Sequence, residues 1–415
     1  MKLKIKYLFI LFLAITILFI FYSTSFANNK VEVSSPSAIL IDSKSGKSIY
    51  DKNSSERLYP ASTTKVMTAI LVVENCNLTD IATVSKNAVS KSSVPDGYTT
   101  ADLVEGERLS VENLLYALML PSANDAAIVL AEHVSGSVEK FAERMNTKAK
   151  EIGCKDTNFV NPNGVHDDNH YSTAYDLALI GQYAMKNETI RNIVKKTSFT
   201  LPKTNKYNKD DREFENTNRL IEKGNYFYKF ANGLKTGYTE HSGACIIASA
   251  ENENNSFISV ILGAKDFNAR ENDCIELFDY GFKNYSEKTF LKKSETIKQV
   301  EITVDNKKEP LDIIAEKEIK LFTTTNINDV EPKIELNDNI KSPVLKGFIL
   351  GKISYSIDGV TYTSNLLAGN SVVDSNTMQT FYTILLTGVI ILILMSIFKI
   401  NNHRKRKNGL IKFYR

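Results

Sequence analysis

Val66 to Val73 reads Val-Met-Thr-Ala-Ile-Leu-Val-Val, almost wholly apolar and with no polar stripe at helical spacing. A helix of that composition has no face to offer water, so it belongs inside a core and not on a surface. Pro60 and Ser62 fit its start, since proline suits the first turn and serine the cap. Ser62 and Lys65 then stand three residues apart, on one face, at the helix N-terminus. A lysine in so apolar a setting favours its neutral amine, which can take the proton of a neighbouring hydroxyl. A capping serine and a lysine reaching toward solvent would read the same way. Ser-x-x-Lys by itself therefore decides nothing.

The two ends of the chain say where the rest resides. Lys2, Lys4 and Lys6 precede an apolar run from Tyr7 to Tyr22 and a small-x-small site at Ser25-Phe26-Ala27. That is the pattern of a secretory signal cut after Ala27, although the length of the run also suits an uncleaved anchor. Phe381 to Phe398 carries no charge, and as a helix it would reach roughly 27 Å, close to the hydrocarbon thickness of a bilayer. Lys399, Arg404, Lys405, Arg406 and Lys407 follow it, which puts the tail in the cytoplasm and the body outside. The expectation is a single-pass cell-membrane protein. Of the 51 basic residues three lie in 1–27 and seven in 399–415, leaving 41 against 48 acidic ones between. A mildly acidic body argues against nucleic acid as a partner.

A length of 415 residues accommodates two domains. Cys76, Cys154, Cys245 and Cys274 show no zinc-ligand spacing. Export would allow three pairings, but a body this large needs no staples, and they read as small core residues. Ala38–Asp42 and Ser48–Tyr50 flank a turn and predict a hairpin. Ser110 predicts the cap of a helix over Val111–Met119, and a second apolar helix begins near Ala123. Ser122-Ala123-Asn124 thus falls on a tight connection between buried helices. Residues 159–170 read as a polar loop, with a helix over Ala174–Met185 after it. Lys235-Thr236-Gly237 follows a turn at Asn232-Gly233, and Ala244–Ala250 with Phe257–Leu262 predict a strand hairpin. Asp273–Tyr280 reads as helix. Beyond Tyr285 strands alternate without long helices, and Asp358-Gly359 marks a two-residue hairpin turn.

Ser62-x-x-Lys65, Ser122-Ala123-Asn124 and Lys235-Thr236-Gly237 stand in that order behind an export signal. Together they resemble the penicillin-recognising serine peptidases. Tyr59-Pro60-Ala61-Ser62-Thr63-Thr64-Lys65, Pro121-Ser122-Ala123-Asn124-Asp125-Ala126-Ala127, His170-Tyr171-Ser172-Thr173-Ala174 and Lys235-Thr236-Gly237-Tyr238-Thr239 narrow the resemblance to the low-molecular-mass penicillin-binding proteins of the D-alanyl-D-alanine carboxypeptidase family. The resemblance implies an α+β catalytic domain, an antiparallel sheet flanked by helices, followed by a small all-β domain. The expected order is signal peptide 1–27, catalytic domain 28–290, β domain 291–366, spacer 367–380, transmembrane helix 381–398 and basic tail 399–415. One departure is that familiar members end in an amphipathic helix, whereas Phe381–Phe398 has no polar face.

The resemblance also implies roles. Ser62 would attack the penultimate D-alanine carbonyl of a peptidoglycan stem peptide, Lys65 would move its proton, and Ser122 would relay a proton to the leaving amine. Asn124 would orient Lys65 and the substrate amide, and Lys235 would add positive charge beside Ser122. Thr236 and Arg270 would bind the terminal carboxylate, Gly237 would let the peptide approach, and the N–H groups of Ser62 and Tyr238 would hold the oxyanion. β-Lactams would bind as mimics, and neither cofactor nor metal is called for. Three rivals share the sequence. His166, Asp167, Asp168 and His170 suggest a zinc peptidase, Glu188 and Asn192 a β-lactamase's deacylating base, and a non-catalytic envelope protein could bind wall peptides or β-lactams and signal through its tail.

Overall fold

A computed structural model describes residues 31–208 and 211–411, so the expected signal segment 1–27 lies outside the described residues. The chain divides into two compact units, Met1–Asn284 and Tyr285–Arg415. The first opens with strands β1 (Ser37–Asp42) and β2 (Ser48–Lys52), then helix α1 (Lys65–Asn75), short strands β3 (Ile81–Thr83) and β4 (Arg108–Ser110), and helix α2 (Val111–Met119). Helices α3 (Asn124–Ser135), α4 (Val138–Ile152), α5 (Ala174–Ala184) and α6 (Glu188–Val194) follow. Next come β5 (Ser198–Leu201), β6 (Arg212–Glu215), β7 (Ala231–Thr239), β8 (Gly243–Glu251), β9 (Ser256–Ala264) and helix α7 (Phe267–Asn284).

Five of these strands form one antiparallel sheet in the order β2-β1-β9-β8-β7. Successive residues of a strand point to opposite faces, and Phe257 and Ile258 show what covers each. Phe257 lies against Gly281 of α7, and Ile258 against Gly181 of α5. With helices on both sides, β8 and β9 are buried almost throughout, which is why they read as apolar runs and not as alternating ones. Every residue from Lys65 to Val72 in α1 is buried, enclosed by α2, α3, α4, α5 and α6. Ser110 caps α2 by accepting the Asn113 N–H at 3.2 Å. Helix α4, which sequence reading passed over, buries Phe141, Met145 and Ala149 on one stripe.

The second unit holds β10 (Ser286–Leu291), β11 (Thr296–Val304), β12 (Lys307–Ala315), β13 (Ile319–Thr323), β14 (Lys333–Leu336), β15 (Ile349–Ile357) and β16 (Val360–Ala368). Strands β11-β12-β16-β15-β14 form an antiparallel sheet, and β10 pairs with β13. Leu311, Ile313, Ile353 and Leu366 fill its core with Phe290 and Leu291. Asp358 and Gly359 both take positive φ, the requirement of the tight hairpin turn their types predicted. The unit starts before residue 291, because β10 already belongs to it. Helix α8 (Ser375–Ile411) begins inside the stretch expected as a spacer. Its Ser375–Ile400 portion is long and apolar enough to cross a membrane, and none of it is buried in protein.

Gly181 marks how closely α5 lies on the sheet. A Cβ there would come within 2.7 Å of Ile247 Cγ2 and 3.2 Å of Ile258 Cγ2. In an exposed helix Gly→Ala stabilises by up to about 1 kcal/mol. Gly181→Ala should instead lower stability by about 1–3 kcal/mol, read as a reduced urea midpoint at unchanged slope, because overpacking outweighs propensity.

Candidate active site

Ser62 lies not at the cap of α1 but in a single 3-10 turn, Ala61–Thr64, that precedes it, and no side chain caps the helix. Ala61 takes φ +49, a left-handed value that costs a residue with a Cβ. The turn is held from outside. Gly164 lies so close that a Cβ on it would fall 1.9 Å from Ala61 O. The loop containing it also supplies Asn163 O, which accepts from Lys65 Nζ at 2.7 Å. Lys65 Nζ stands 2.8 Å from Ser62 Oγ and 2.9 Å from Asn124 Oδ1. Burial holds this amine well below the usual lysine range, and the nearby Lys235 charge adds to the effect while Asp125 opposes it. A neutral amine at hydrogen-bond distance from a hydroxyl can act as its base.

Ser122 and Asn124 occupy the connection between α2 and α3, as their spacing predicts. Ser122 takes φ +73, and its Oγ is buried with no hydrogen-bond partner among the described residues. An unpaired buried hydroxyl is costly in a structural role and suits a group awaiting a substrate atom. Asn124 Nδ2 donates to Thr99 O at 2.9 Å, which turns its oxygen toward Lys65. Asp125 holds the Thr99 segment in place by accepting from the N–H groups of Ala101 and Leu103.

Lys235-Thr236-Gly237 does not follow a turn. It sits within β7, the edge strand of the sheet, and Asn232 and Gly233 belong to the same strand across a bulge. An edge strand leaves backbone groups free to pair with an extended peptide. A Cβ on Gly237 would lie 2.9 Å from Ser62 N and 3.1 Å from Pro60 O, so no larger residue lets β7 approach the serine turn this closely. Lys235 is buried, and burial with the charge of Arg270 brings its amine down to about 7. Thr236 Oγ1 lies 2.6 Å from Thr217 Oγ1. Tyr238 is half exposed at the rim, edge-on to Phe267. A cleft of about 770 Å³ is lined by Ser62, Ser122, Asn124, Thr236, Gly237 and Arg270 among others. Lys65 and Lys235 lie behind its wall.

Arg270 lines the cleft, and there two of its nitrogens bond the buried carboxylate of Glu271 while a third reaches Cys245 O at 3.4 Å. Its charge is already paired, so it is not a free cation for a carboxylate. The sequence also left Asn163, Thr99 and Thr217 unassigned. Two of the three act through backbone carbonyls, which no side-chain motif can signal, although Asn161-Pro162-Asn163-Gly164 did mark a turn.

The histidine cluster does not converge. His170 is buried, accepts the Val160 N–H on Nδ1 and so presents Nε2 to Thr64 Oγ1 at 2.9 Å, and burial brings it down to about 4. His166 stacks on His241 at 3.8 Å. Glu188 and Asn192 lie on α6 and do not line the cleft. The four cysteines are free thiols, Cys245 and Cys274 buried and Cys76 and Cys154 half-buried. Cys76, Asp80 and His133 bring one possible ligand atom each within 4.8 Å of the others. Arg144 already lies beside them, bonded to Asn75 Oδ1 and Val134 O, and its charge opposes a second cation.

Fold and cleft together define a serine-type hydrolase of the penicillin-recognising kind. The chain belongs to the D-alanyl-D-alanine carboxypeptidase family, whose description matches residues 24–266, and residues 285–374 match the C-terminal domain of penicillin-binding protein 5. The D-alanyl-D-alanine carboxypeptidase DacF of Bacillus subtilis is 36% identical over 328 residues, covering 78% of this chain and 82% of that one. Penicillin-binding protein 5 of Haemophilus influenzae superposes with a TM-score of 0.61 at 30% identity, covering 83% of this chain and 99% of that one. The D-alanyl-D-alanine carboxypeptidase DacD of Francisella tularensis superposes with a TM-score of 0.63 at 26% identity, covering 83% and 94%.

The site carries a stability cost that can be measured. Lys235 titrates near 7 when folded and near its ordinary 10.5 when unfolded, so between those values the unfolded chain binds more protons and stability rises with pH. Lys235→Met removes the buried amine. At pH 7 it should raise stability by roughly 1–4 kcal/mol, and that gain should shrink as pH climbs toward 10.5. A gain independent of pH in thermal melts would assign the effect to packing alone.

Proposed function

We propose that this chain removes the terminal D-alanine from peptidoglycan stem peptides through an acyl-enzyme on Ser62. The 2.8 Å approach of Lys65 Nζ to Ser62 Oγ, with the amine's proton affinity lowered by burial, carries the reading. Neutral Lys65 takes the Ser62 proton as Oγ attacks the carbonyl carbon of the penultimate D-alanine. The resulting oxyanion is held by the N–H groups of Ser62 and Tyr238, donors fixed before the charge develops. As the C–N bond breaks, a proton passes from Lys65 through Ser122 Oγ to the departing amine. Water then attacks the ester, its proton returns by way of Lys65, and Ser62 is freed. The substrate lies along the free edge of β7, beside the serine turn that Gly237 admits so closely.

A strained β-lactam amide presents the same carbonyl, but its leaving group stays tethered, so the acyl-enzyme persists. Labelled penicillin should attach to Ser62 alone, as peptide mapping reads directly. Ser62→Ala should abolish labelling with an unchanged melting temperature, which a non-catalytic binding protein with a separate β-lactam site would not show.

Carboxylate recognition falls to Thr236 rather than to the paired Arg270. Arg270→Ala is a poor probe, since it strands the buried Glu271 carboxylate at about 3–5 kcal/mol. Thr236→Val keeps the shape and removes one charge-assisted hydrogen bond, worth roughly 1.5–3 kcal/mol. Its kcat/KM for a peptide ending in D-Ala-D-Ala should fall at least about tenfold, while that for the C-terminally amidated peptide stays near the wild-type value. Equal cleavage of acid and amide by the wild type would favour endopeptidase action.

The placement of this activity follows from the two ends. Residues 1–27 act as an export signal, 381–398 cross the cell membrane within α8, and 399–415 lie in the cytoplasm. The catalytic unit and the β domain then face the wall.

A further inference from the structure

The C-terminal unit carries an apolar tip that its own core does not use. Val344 and Leu350 are buried, yet Leu345, Phe348 and Ile349 between them are 59%, 63% and 51% exposed. The tip is a defined turn. Phe348 N–H donates to Leu345 O at 3.0 Å, and Gly347 takes φ +86. It is also tied to the chain immediately ahead of α8. Val344 and Val372 exchange backbone hydrogen bonds at 2.9 and 2.8 Å, and Lys346 N–H donates to Ser371 Oγ at 2.9 Å. Asp374 N–H donates to Ser342 Oγ at 3.0 Å, while the Asp374 carboxylate accepts from Thr377 N–H in the first turn of the helix. Ser375 N–H donates to the Asp305 carboxylate, so the helix leaves from this same end of the unit.

Single exposed apolar residues are ordinary, but three within five positions of one turn are not. Exposed Lys341 precedes them, and exposed Lys346 stands between Leu345 and Phe348. Aromatic and aliphatic side chains rimmed by lysines make an interfacial contact, in which the apolar groups enter the acyl boundary and the amines meet anionic headgroups. We propose that Leu345, Phe348 and Ile349 insert into the surface of the bilayer that α8 crosses, as a second membrane contact. The proposal rests on the reading of α8 as a spanning helix. One helix leaves the unit free to turn about its axis, and a second contact removes that freedom.

The chain contains no tryptophan, so one introduced indole reports one place. The full chain is reconstituted in phosphatidylcholine–phosphatidylglycerol vesicles with brominated or ordinary acyl chains. Three variants are compared under excitation that spares tyrosine: Phe348→Trp at the tip, Val360→Trp at the other end of the β15–β16 hairpin, and Leu392→Trp within α8. Val360 is 50% exposed, so it matches the tip in exposure and differs in position. Emission of Phe348→Trp should shift to shorter wavelength and be quenched by bromine, and that of Val360→Trp should do neither. If Leu392→Trp is quenched while Phe348→Trp behaves like Val360→Trp, the tip contact is overturned and the anchor stands. Tip residues that instead contact a protein or the wall would give that result, because the vesicles contain neither. An unquenched Leu392→Trp overturns the anchor reading, and the tip proposal with it.

Discussion

The amine of Lys65 is the point on which the catalytic unit depends. Its three hydrogen-bond partners come from three separate parts of the chain: Ser62 from the turn before α1, Asn124 from the start of α3, and Asn163 from the long loop ahead of α5. An amine held this deeply loses its hydration, and only partners fixed by the surrounding fold can replace it. The apolar helix α1 provides that depth.

The same burial that prepares the site works against the fold. Lys65 and Lys235 both lie in the interior, burial lowers the proton affinity of each, and among the described residues no carboxylate pairs with either amine. Arg270 is treated differently, since Glu271 neutralises it within the same helix. Two backbone positions, Ala61 and Ser122, hold left-handed conformations that a residue with a Cβ disfavours. Both adjoin or form the cleft. Two amines without an ion-pair partner, a Ser122 hydroxyl without a hydrogen-bond partner among the described residues, and the left-handed Ala61 and Ser122 thus lie together where a substrate would bind, beside a core of closely packed hydrocarbon. Structure held against local preference in one place needs a large, rigid core elsewhere, and the sheet covered on both faces supplies it.

The strong local signals of the sequence were those that depend on few neighbours. The cap at Ser110, the hairpin turn at Asp358-Gly359, the buried character of Val66–Val72 and the apolar run at Phe381–Phe398 each follow from residue type and spacing. Amphipathic α4 went unpredicted, although Phe141, Met145 and Ala149 carry its buried stripe. Short strands such as β3 and β5 were not, because three or four residues carry too little periodicity to read.

Of the cleft, the sequence by itself determined which side chains were available: a serine and a lysine one turn apart, a serine and an asparagine between two buried helices, and a lysine, threonine and glycine in order. Spacing within a motif is set by covalent geometry, so it can be read from the chain. Spacing between motifs is not. Only the tertiary structure decided that Lys235 lies inside an edge strand, that Gly237 comes up against Ser62 N, that Asn163 O accepts from Lys65, and that Thr99 O orients Asn124. It also decided that the charge of Arg270 is already taken by Glu271, a pairing of adjacent residues that depends on burying both. Apart from that adjacent pair, these contacts join residues tens to hundreds of positions apart, and backbone groups are the same in every residue. Their roles come from where packing sets them.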